Sequence, residues 1–396
     1  MVATLDKSTR VGVLGAGAMG TGIAQVAAVA GHRVVVVDAN AAAVEKSKAT
    51  VHANLARDVE KNRTTAPDAT AAQARMEFSA GADMAAFAGC GLVIEAIVED
   101  LAVKQRAFGA IEAAVSADCV LATNTSSLAV GAVAKGTKRS GRVIGLHFFN
   151  PANVLPLVEV IGATSSDNAV VANARALVDT WGKTTVLATD TPGFIVNRVA
   201  RPFYGESLCQ LEEGVADVAT IDWAMKTIGG FRMGPFELMD LIGNDVNYAV
   251  TKSVFEALHH DPRYRPSEIQ RGLVEAGRLG KKSGRGYFDY ATAAPKPMPA
   301  ADVRVGQLIV DRTLAMLINE AADAVESGIA SRDDVELAMT KGVNYPKGLL
   351  AWADAIGAAV IVERMSALRA QFGGERYRPS PLLQRMARAG ERFYSS

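Results

Sequence analysis

Cysteine, net charge and long apolar runs are what this sequence lacks. Its three cysteines, Cys90, Cys119 and Cys209, lie far apart, so neither a disulfide framework nor a metal-binding spacing is predicted. Its 42 Lys and Arg residues balance 42 Asp and Glu residues, which argues against a nucleic-acid partner. No apolar run approaches the roughly 18 residues that a membrane span requires. Because the start, Met1–Arg10, is polar and unlike a signal peptide, we expect a cytoplasmic protein without a membrane partner.

What is present is an ordinary globular composition, 49% hydrophobic and 21% charged, in a chain long enough for about two to four domains. In residues 1–190, short apolar runs alternate with helical patterns, which predicts a doubly wound α/β domain with a parallel sheet. The runs predicted as strands are Arg10–Leu14, Arg33–Asp38, Leu92–Ala96, Val120–Asn124, Val143–Phe148 and Leu157–Ile161. The patterns predicted as helices include Gly20–Ala30, Ala41–Lys61 and Val103–Ser116.

The rest of the chain indicates two tandem all-α domains, 191–290 and 302–396, joined by a Pro-rich linker at 291–301. Residues of the first block recur in the second at a spacing of 114 positions. The recurring pairs are Arg198 and Arg312, Gly214 and Gly328, Met225 and Met339, Gly234 and Gly348, Asp240 and Asp354, and Gly243 and Gly357. This single frame predicts a duplication whose two copies pack together about a pseudo-twofold axis.

A glycine-rich turn follows the first predicted strand. The stretch from Gly15 to Gly20 reads GAGAMG, a GxGxxG pattern that also includes Gly17, Ala18 and Met19. Between a strand and a helix, this pattern predicts a Rossmann-like dinucleotide site. Asp38 ends the second strand, where a carboxylate accepts hydrogen bonds from a ribose diol and repels a 2′-phosphate, so NAD is favoured over NADP. A glycine-rich turn without a cofactor is the alternative.

His147 and Glu159 stand in two consecutive apolar runs. His147 lies near the end of one run, where ligands bind in such folds, and Glu159 lies inside the next. A carboxylate in an apolar run needs a partner, so the two side chains are predicted to form an acid/base dyad. The alternative is a structural histidine and an exposed glutamate on an edge strand. The segment Asn124–Ser127 follows another predicted strand, and its hydroxyl groups would also face the cleft. Many such clusters, however, only form turns or cap helices.

Taken together, these residues resemble the L-3-hydroxyacyl-CoA dehydrogenase family. The resemblance covers residues 10–290, and the third block fits longer members with a duplicated C-terminal domain. Its segments are GAGAMG (15–20), EAIVED (95–100), NTSSL (124–128), HFFNP (147–151), LVEVI (157–161), DTPGFIVNR (190–198) and MGPFELMDLIG (233–243). Within the family, ARPFYGE (200–206), GGFRMGPFEL (229–238) and DPRYRPS (261–267) resemble the enzymes of phenylacetate catabolism that act on 3-hydroxyadipyl-CoA.

The resemblance implies a role for particular residues of this chain. His147 would be the general base and Glu159 its orienting carboxylate, while Ser126 and Asn197 would bind the substrate oxygen at C3. Gly15, Gly17, Ala18, Met19, Gly20, Asp38 and Asn124 would hold NAD, with Glu99 and Lys104 near its nicotinamide half. Lys61 would lie near the CoA phosphates, although a solvated helix lysine looks the same.

A distal carboxylate on the substrate would need a cation, for which Arg201 and Arg232 are the candidates. Each could instead pair with a carboxylate of this chain. Alternative substrates are 3-hydroxybutyryl-CoA and general fatty 3-hydroxyacyl-CoAs. A non-catalytic dinucleotide-binding protein and a scaffold built on the helical blocks are alternatives of other classes. By the resemblance, single-copy members dimerise through the repeated domain, so the two copies here would form an intrachain pseudo-dimer. A homodimer through another surface is left open.

Overall fold

A computed structural model describes residues 4–291 and 297–394. Of the predicted linker 291–301, the stretch 292–296, which includes Pro295, lies outside the described residues. The chain divides into two compact units between Phe194 and Ile195. The first unit holds the sheet and also residues 191–194 of the first predicted helical block. The rest of that block and the second predicted block belong to the second unit.

The first unit is built around an eight-stranded sheet with the order β3-β2-β1-β4-β5-β6-β7-β8. Its strands are β1 (Val11–Leu14), β2 (Val34–Asp38), β3 (Met76–Ala80), β4 (Leu92–Glu95), β5 (Val120–Thr123), β6 (Val143–Phe148), β7 (Leu157–Gly162) and β8 (Thr184–Thr189). Residues of β1, β2, β4, β5 and β6 are almost all fully buried, because helices cover both faces of the sheet. The strands from β3 to β6 run parallel, which confirms the predicted doubly wound arrangement.

Two features of the sheet differ from the prediction. The edge strands β3 and β8 were not predicted, because their partly exposed residues do not form an uninterrupted apolar run. The expectation of an all-parallel sheet is wrong at β7, which pairs antiparallel with β6. The connection 149–156 is too short for a crossover helix, so the chain can only turn back beside the strand that it has left.

Within residues 4–194, six α-helices flank the sheet. They are α1 (Ala18–Val29), α2 (Ala41–Glu60), α3 (Ala66–Ala74), α4 (Leu101–Ala114), α5 (Val130–Ala134) and α6 (Asn168–Asp179). Three of them begin at side-chain caps, where Asn40, Thr65 and Asp100 accept hydrogen bonds from backbone N–H groups of the first turn. The most buried is α1, which packs its Ile23–Ala28 stretch against the core of the sheet.

Within the described residues, the second unit is made of helices that we divide into a first helical segment, 195–290, and a second helical segment, 302–394. The first contains α7 (Val196–Val199), α8 (Arg201–Glu212), α9 (Val218–Thr227), α10 (Pro235–Ile242), α11 (Asn244–Ala257) and α12 (Glu268–Glu275). The second contains α13 (Val303–Glu326), α14 (Arg332–Leu337), a π-helical turn (Ala338–Gly342), α15 (Leu349–Ile356), α16 (Ala358–Phe372) and α17 (Pro381–Ala389). Every residue of α13 from Arg312 to Ala324 is buried, because helices of both segments surround it.

Equivalent positions of the two segments have similar local structure. Gly234 begins α10 and Gly348 begins α15, and each of these helices ends at a glycine with positive φ, 105° at Gly243 and 96° at Gly357. Asp222 accepts hydrogen bonds from the first N–H groups of α10, and Glu336 does the same for α15. The acidic side chains cap the first turn of each helix and fix where it begins.

Two fully buried glutamates join the segments. Glu206 of the first segment accepts hydrogen bonds from Arg312 (2.5 Å), Arg376 (2.7 Å) and Tyr377 (2.9 Å) of the second. Its equivalent in the second segment, Glu320, accepts from Arg263 (2.7 Å) and from the Tyr264 hydroxyl of the first. A buried carboxylate is costly unless cations and donors satisfy it, so these clusters tie the segments together.

Candidate active site

The glycine-rich turn lies between β1 and α1, as predicted. Gly15 has φ of 111°, and a Cβ at this position would lie 2.5 Å from the Ala96 carbonyl oxygen. A Cβ at Gly20 would lie only 1.9 Å from the Gly15 carbonyl oxygen. At Gly17, the N-cap of α1, a Cβ would meet no described atom within 4 Å. Two of the glycines thus permit close packing, whereas the third leaves open space at a helix N-terminus, where a pyrophosphate would fit.

Asp38, at the end of β2, is held beside this turn. Its two carboxylate oxygens accept hydrogen bonds from the Ala16 N–H (2.7 Å) and the Asn40 N–H (2.8 Å). Each carboxylate oxygen has a second lone pair, so the fixed carboxylate can still accept hydrogen bonds from ribose hydroxyls. The turn and this carboxylate together fit the adenosine half of a dinucleotide.

A buried ion pair lies at the end of β4. The Lys104 ammonium contacts Glu95 (2.6 Å) and Glu99 (3.2 Å), and both Lys104 and Glu95 are inaccessible to solvent. Burial would raise the pKa of Glu99, but the Lys104 charge and hydrogen bonds from Thr125 and Ser127 outweigh it and lower that pKa. Lys104 therefore fixes Glu99 as a carboxylate.

Glu99 in turn holds the loop 124–128. One of its oxygens accepts hydrogen bonds from the N–H groups of Ser126 (3.1 Å) and Ser127 (3.2 Å) and from the Thr125 hydroxyl. The Asn124 side-chain oxygen accepts a hydrogen bond from the Phe148 N–H (2.8 Å), next to His147. These bonds fix the half-buried Ser126 relative to the ends of β4, β5 and β6.

The structure brings His147 and Glu159 together. The two residues are directly opposite each other in the β6–β7 pair, and His147 Nδ1 lies 2.6 Å from a Glu159 carboxylate oxygen. Glu159 is fully buried in a strand with neighbours on both sides, which excludes the exposed edge-strand alternative. A carboxylate on Nδ1 selects the tautomer and leaves Nε2 to accept a proton.

Several neighbours of the dyad were missed by sequence reasoning. The Phe149 ring lies 4.4 Å and the Phe194 ring 5.9 Å from the His147 ring, centroid to centroid. Lys183 donates hydrogen bonds to the carbonyls of Ala152 (2.6 Å) and Leu155 (2.8 Å), so it holds the connection that follows His147. Burial lowers the pKa of Lys183 to about 8. Glu95 was missed too, although it lies inside the predicted apolar run Leu92–Ala96, which is the same signal that identified Glu159.

The remaining predicted residues are placed as follows. Lys61 is exposed and follows the last residue of α2, so it is the C-cap of the helix rather than part of it. In the second unit, Asn197 lies in α7 and is half-buried, and Arg201 begins α8 and is buried. Arg232 is exposed in the loop before α10. Among residues 4–291 and 297–394, no helix is long and apolar enough to cross a membrane.

Comparison with known proteins agrees with this geometry. Residues 10–191 match the family model of the 3-hydroxyacyl-CoA dehydrogenase NAD-binding domain. The model of the C-terminal domain of the same family matches two stretches, 193–290 and 308–393.

Individual relatives match from about three quarters to nearly all of the chain. A 3-hydroxyadipyl-CoA dehydrogenase of Escherichia coli is 37% identical over 95% of this chain and 97% of its own. A 3-hydroxybutyryl-CoA dehydrogenase of Bradyrhizobium diazoefficiens is 40% identical over 73% of this chain and 97% of its own. The crystal structure of a 3-hydroxybutyryl-CoA dehydrogenase from Escherichia coli has a TM-score of 0.92 at 36% identity, covering 97% of this chain and 99% of that one.

The fold, the glycine-rich turn and the matches define an NAD-dependent oxidoreductase. More particularly, the chain belongs to the 3-hydroxyacyl-CoA dehydrogenase family, whose members oxidise 3-hydroxyacyl-CoA with NAD.

Proposed function

We propose that this enzyme oxidises an L-3-hydroxyacyl-CoA that carries a distal carboxylate, with 3-hydroxyadipyl-CoA as the substrate. The single observation that carries this choice is Arg201, a buried arginine without a carboxylate partner among the described residues. The Escherichia coli relative named for 3-hydroxyadipyl-CoA supports it, since that relative covers both helical segments. The main alternative is 3-hydroxybutyryl-CoA, for which other relatives are named.

Different residues of the chain have different roles in the proposed reaction. His147 Nε2 takes the proton from the C3 hydroxyl, and Glu159 holds the imidazole and stabilises its charge once it is protonated. Ser126 and Asn197 donate hydrogen bonds to the C3 oxygen as negative charge develops there. NAD, when bound, would supply the acceptor for the hydride that leaves C3. Gly15, Gly17, Ala18, Met19, Gly20 and Asp38 hold the adenosine and pyrophosphate parts of NAD.

The site has a second group of residues, which the resemblance places near NAD: Glu99, Lys104 and Asn124. We propose that their main effect is to position Ser126 and His147, because Glu99 and Asn124 accept hydrogen bonds from the backbone of those regions. Lys61 remains a prediction for the CoA phosphates, since its exposure suits either a phosphate contact or a solvated lysine.

One assay tests the proposal. NADH formation is followed by absorbance for 3-hydroxyadipyl-CoA, 3-hydroxyhexanoyl-CoA and 3-hydroxybutyryl-CoA, with wild type and His147→Gln. We expect the highest kcat/KM for 3-hydroxyadipyl-CoA, and a loss of roughly 10²–10⁴ in kcat for the variant, with NAD affinity unchanged. A preference for either plain chain contradicts the substrate assignment. NAD binding without turnover of any substrate would favour the non-catalytic alternative.

We also propose that the helical segments are two copies of one domain and form an intrachain pseudo-dimer. The reciprocal contacts of Glu206 and Glu320 support this, because a twofold interface repeats each contact with the partners exchanged. A homodimer through another surface, a cytoplasmic location and a place in phenylacetate catabolism stay predictions.

A further inference from the structure

Arg201 is buried without the partner that a buried cation usually has. Only 6% of the residue is exposed, and among the described residues its guanidinium forms hydrogen bonds but no ion pair with a carboxylate. Within the described residues it donates hydrogen bonds to the Asn197 carbonyl (2.9 Å) and the Thr251 hydroxyl (3.0 Å), and it lies 4.9 Å from the centroid of the Tyr204 ring. Burial lowers the pKa of Arg201, which is the sign of a charge poorly compensated by its surroundings. A bound anion would compensate it.

Tyr345, from the second helical segment, is the second unsatisfied group in this region. It is 6% exposed, and its hydroxyl is buried with no hydrogen-bond partner among the described residues. Its ring lies 5.8 Å from the Phe203 ring and 5.0 Å from the Phe231 ring, centroid to centroid. Phe203 in turn lies 5.5 Å from Tyr204, the ring that the Arg201 guanidinium contacts. A buried hydroxyl left without a partner destabilises the protein, so a ligand that accepts its hydrogen bond would be favoured.

The repeat shows that the fold does not require either polar group. At the spacing of 114 residues, the equivalent of Tyr345 is Phe231 and the equivalent of Arg201 is Ala315. Phe231 is buried and in contact with Tyr345, so the same aromatic place is filled in the first segment without a hydroxyl. The Arg201 guanidinium therefore has no counterpart in the second segment, and the Tyr345 hydroxyl has none in the first.

We propose that Arg201 and the Tyr345 hydroxyl together bind the distal carboxylate of the acyl-CoA substrate, so that the second helical segment supplies a specificity-determining residue. This inference rests on the proposed function. It gives the second segment a part in substrate selection in addition to its packing role.

The chemistry and the length of the substrate agree with this site. Burial raises the pKa of Tyr345 well above its usual range, so the phenol keeps its proton and donates a hydrogen bond, while Arg201 supplies the charge. Asn197, proposed to bind the C3 oxygen, is four residues before Arg201, and the backbone of Ala200 between their two helices is also helical. Four residues advance about 6 Å along a helical path. The three carbon–carbon bonds from C3 to the carboxyl carbon of a six-carbon diacid span about 4 Å. A plain acyl chain of equal length would leave both polar groups unsatisfied.

Tyr345→Phe is the decisive variant, because it removes one hydroxyl and places in the second segment the residue that the first already carries. Steady-state kcat/KM is measured for 3-hydroxyadipyl-CoA and for 3-hydroxyhexanoyl-CoA, which has the same number of carbons and no carboxylate. We expect a loss of about tenfold confined to the dicarboxylate substrate. Arg201→Ala should produce the same selectivity change with a larger loss, of about 30- to 100-fold. Tyr287→Phe, which removes another buried hydroxyl without a described partner, is the matched control and should change neither value.

Each outcome has one meaning. Equal losses of Tyr345→Phe on both substrates, or no loss on either, would overturn the proposed site. If the wild type already prefers the plain chain, the substrate assignment fails first, and the two failures are distinguished by that single ratio. Thermal unfolding of each variant and inhibition by the unreactive pair adipyl-CoA and hexanoyl-CoA provide independent readouts. Arg201→Ala and Tyr345→Phe should weaken inhibition by adipyl-CoA alone.

Discussion

The two helical segments of the second unit have the same residues at the ends of equivalent helices. They have different residues at the positions where we propose that substrate binds. Both begin and end their eight-residue helices at glycines, at Gly234 and Gly243 in one and at Gly348 and Gly357 in the other. By contrast, Asn197 is replaced at the equivalent position by Asp311, which is neutralised by Arg364 at 2.9 Å. The shared glycines stand at the ends of helices, where the backbone requires them, whereas the differing residues have no such role. The comparison therefore distinguishes structural positions from candidate functional positions.

The buried glutamates show a second, electrostatic difference. Burial would raise the pKa of Glu206, but Arg376 and Arg312 outweigh it, so that pKa is lowered. For Glu320, burial outweighs the attraction of Arg263 and Arg198, so the pKa is raised. Arg263 also pairs with Asp261 and Asp323, and Arg198 is as far as 3.8 Å away. The cation charge available to Glu320 is therefore divided, whereas Glu206 has two arginines close by.

The largest difference should appear in kcat when Asn197 and its equivalent, Asp311, are each replaced by alanine. Asn197→Ala should lower kcat by roughly 10²–10³, because an oxyanion donor is removed. Asp311→Ala should change kcat less than twofold, since we assign the second segment no contact with the C3 oxygen. Steady-state kinetics with 3-hydroxyadipyl-CoA measures both. Similar losses for the two variants would contradict the division between functional and structural positions.

A smaller effect is expected on stability from the two glutamates. Glu206→Gln leaves two buried arginines without their charge partner and should lower the free energy of unfolding by about 3 kcal/mol at pH 7.5. Glu320→Gln should cost about 1 kcal/mol, because its carboxylate is poorly compensated as a charge. Glu237→Gln, which removes only a half-exposed ion pair with Lys226, is the control and should cost less than about 1 kcal/mol. Urea unfolding of the full chain measures all three. If Glu206→Gln and Glu320→Gln lower the free energy of unfolding equally, the unequal arginine contacts of the two glutamates do not affect stability.

Sequence reasoning reached some of these features and not others, for physical reasons. The His147–Glu159 contact followed from the cost of a carboxylate in an apolar run, and the glycine-rich turn followed from a local pattern with its own strand and helix. The duplication was visible as one spacing repeated over many positions. These signals are local or periodic, so a single sequence carries them.

The features that were missed depend on residues far apart in the chain. The Glu99 contacts with loop 124–128, the burial of Lys104 and the packing of Tyr345 on Phe203 have no local signature, because the sequence does not show which distant residues the fold brings together. The reversal of β7 had a signal, the short connection 149–156, since a parallel neighbour needs a longer crossover.

The smallest expected effect is the change with pH in the stability costs of Glu206→Gln and Glu320→Gln. A glutamate whose folded-state pKa is lowered adds stability that is present above the unfolded-state pKa, about 4.3, and is lost as the pH falls through the folded-state pKa. A glutamate whose pKa is raised adds stability that is fully present below about 4.3 and is lost as the pH rises through the folded-state pKa. The cost of Glu206→Gln should therefore shrink on acidification from pH 7.5 to pH 4, whereas the cost of Glu320→Gln should grow, because glutamine resembles the protonated acid. We expect the difference between the two variants in urea unfolding to narrow by about 1 kcal/mol over this interval. A difference that stays constant, or that widens at pH 4, would mean that the two carboxylates have the same charge state in the folded protein, despite their unequal arginine contacts.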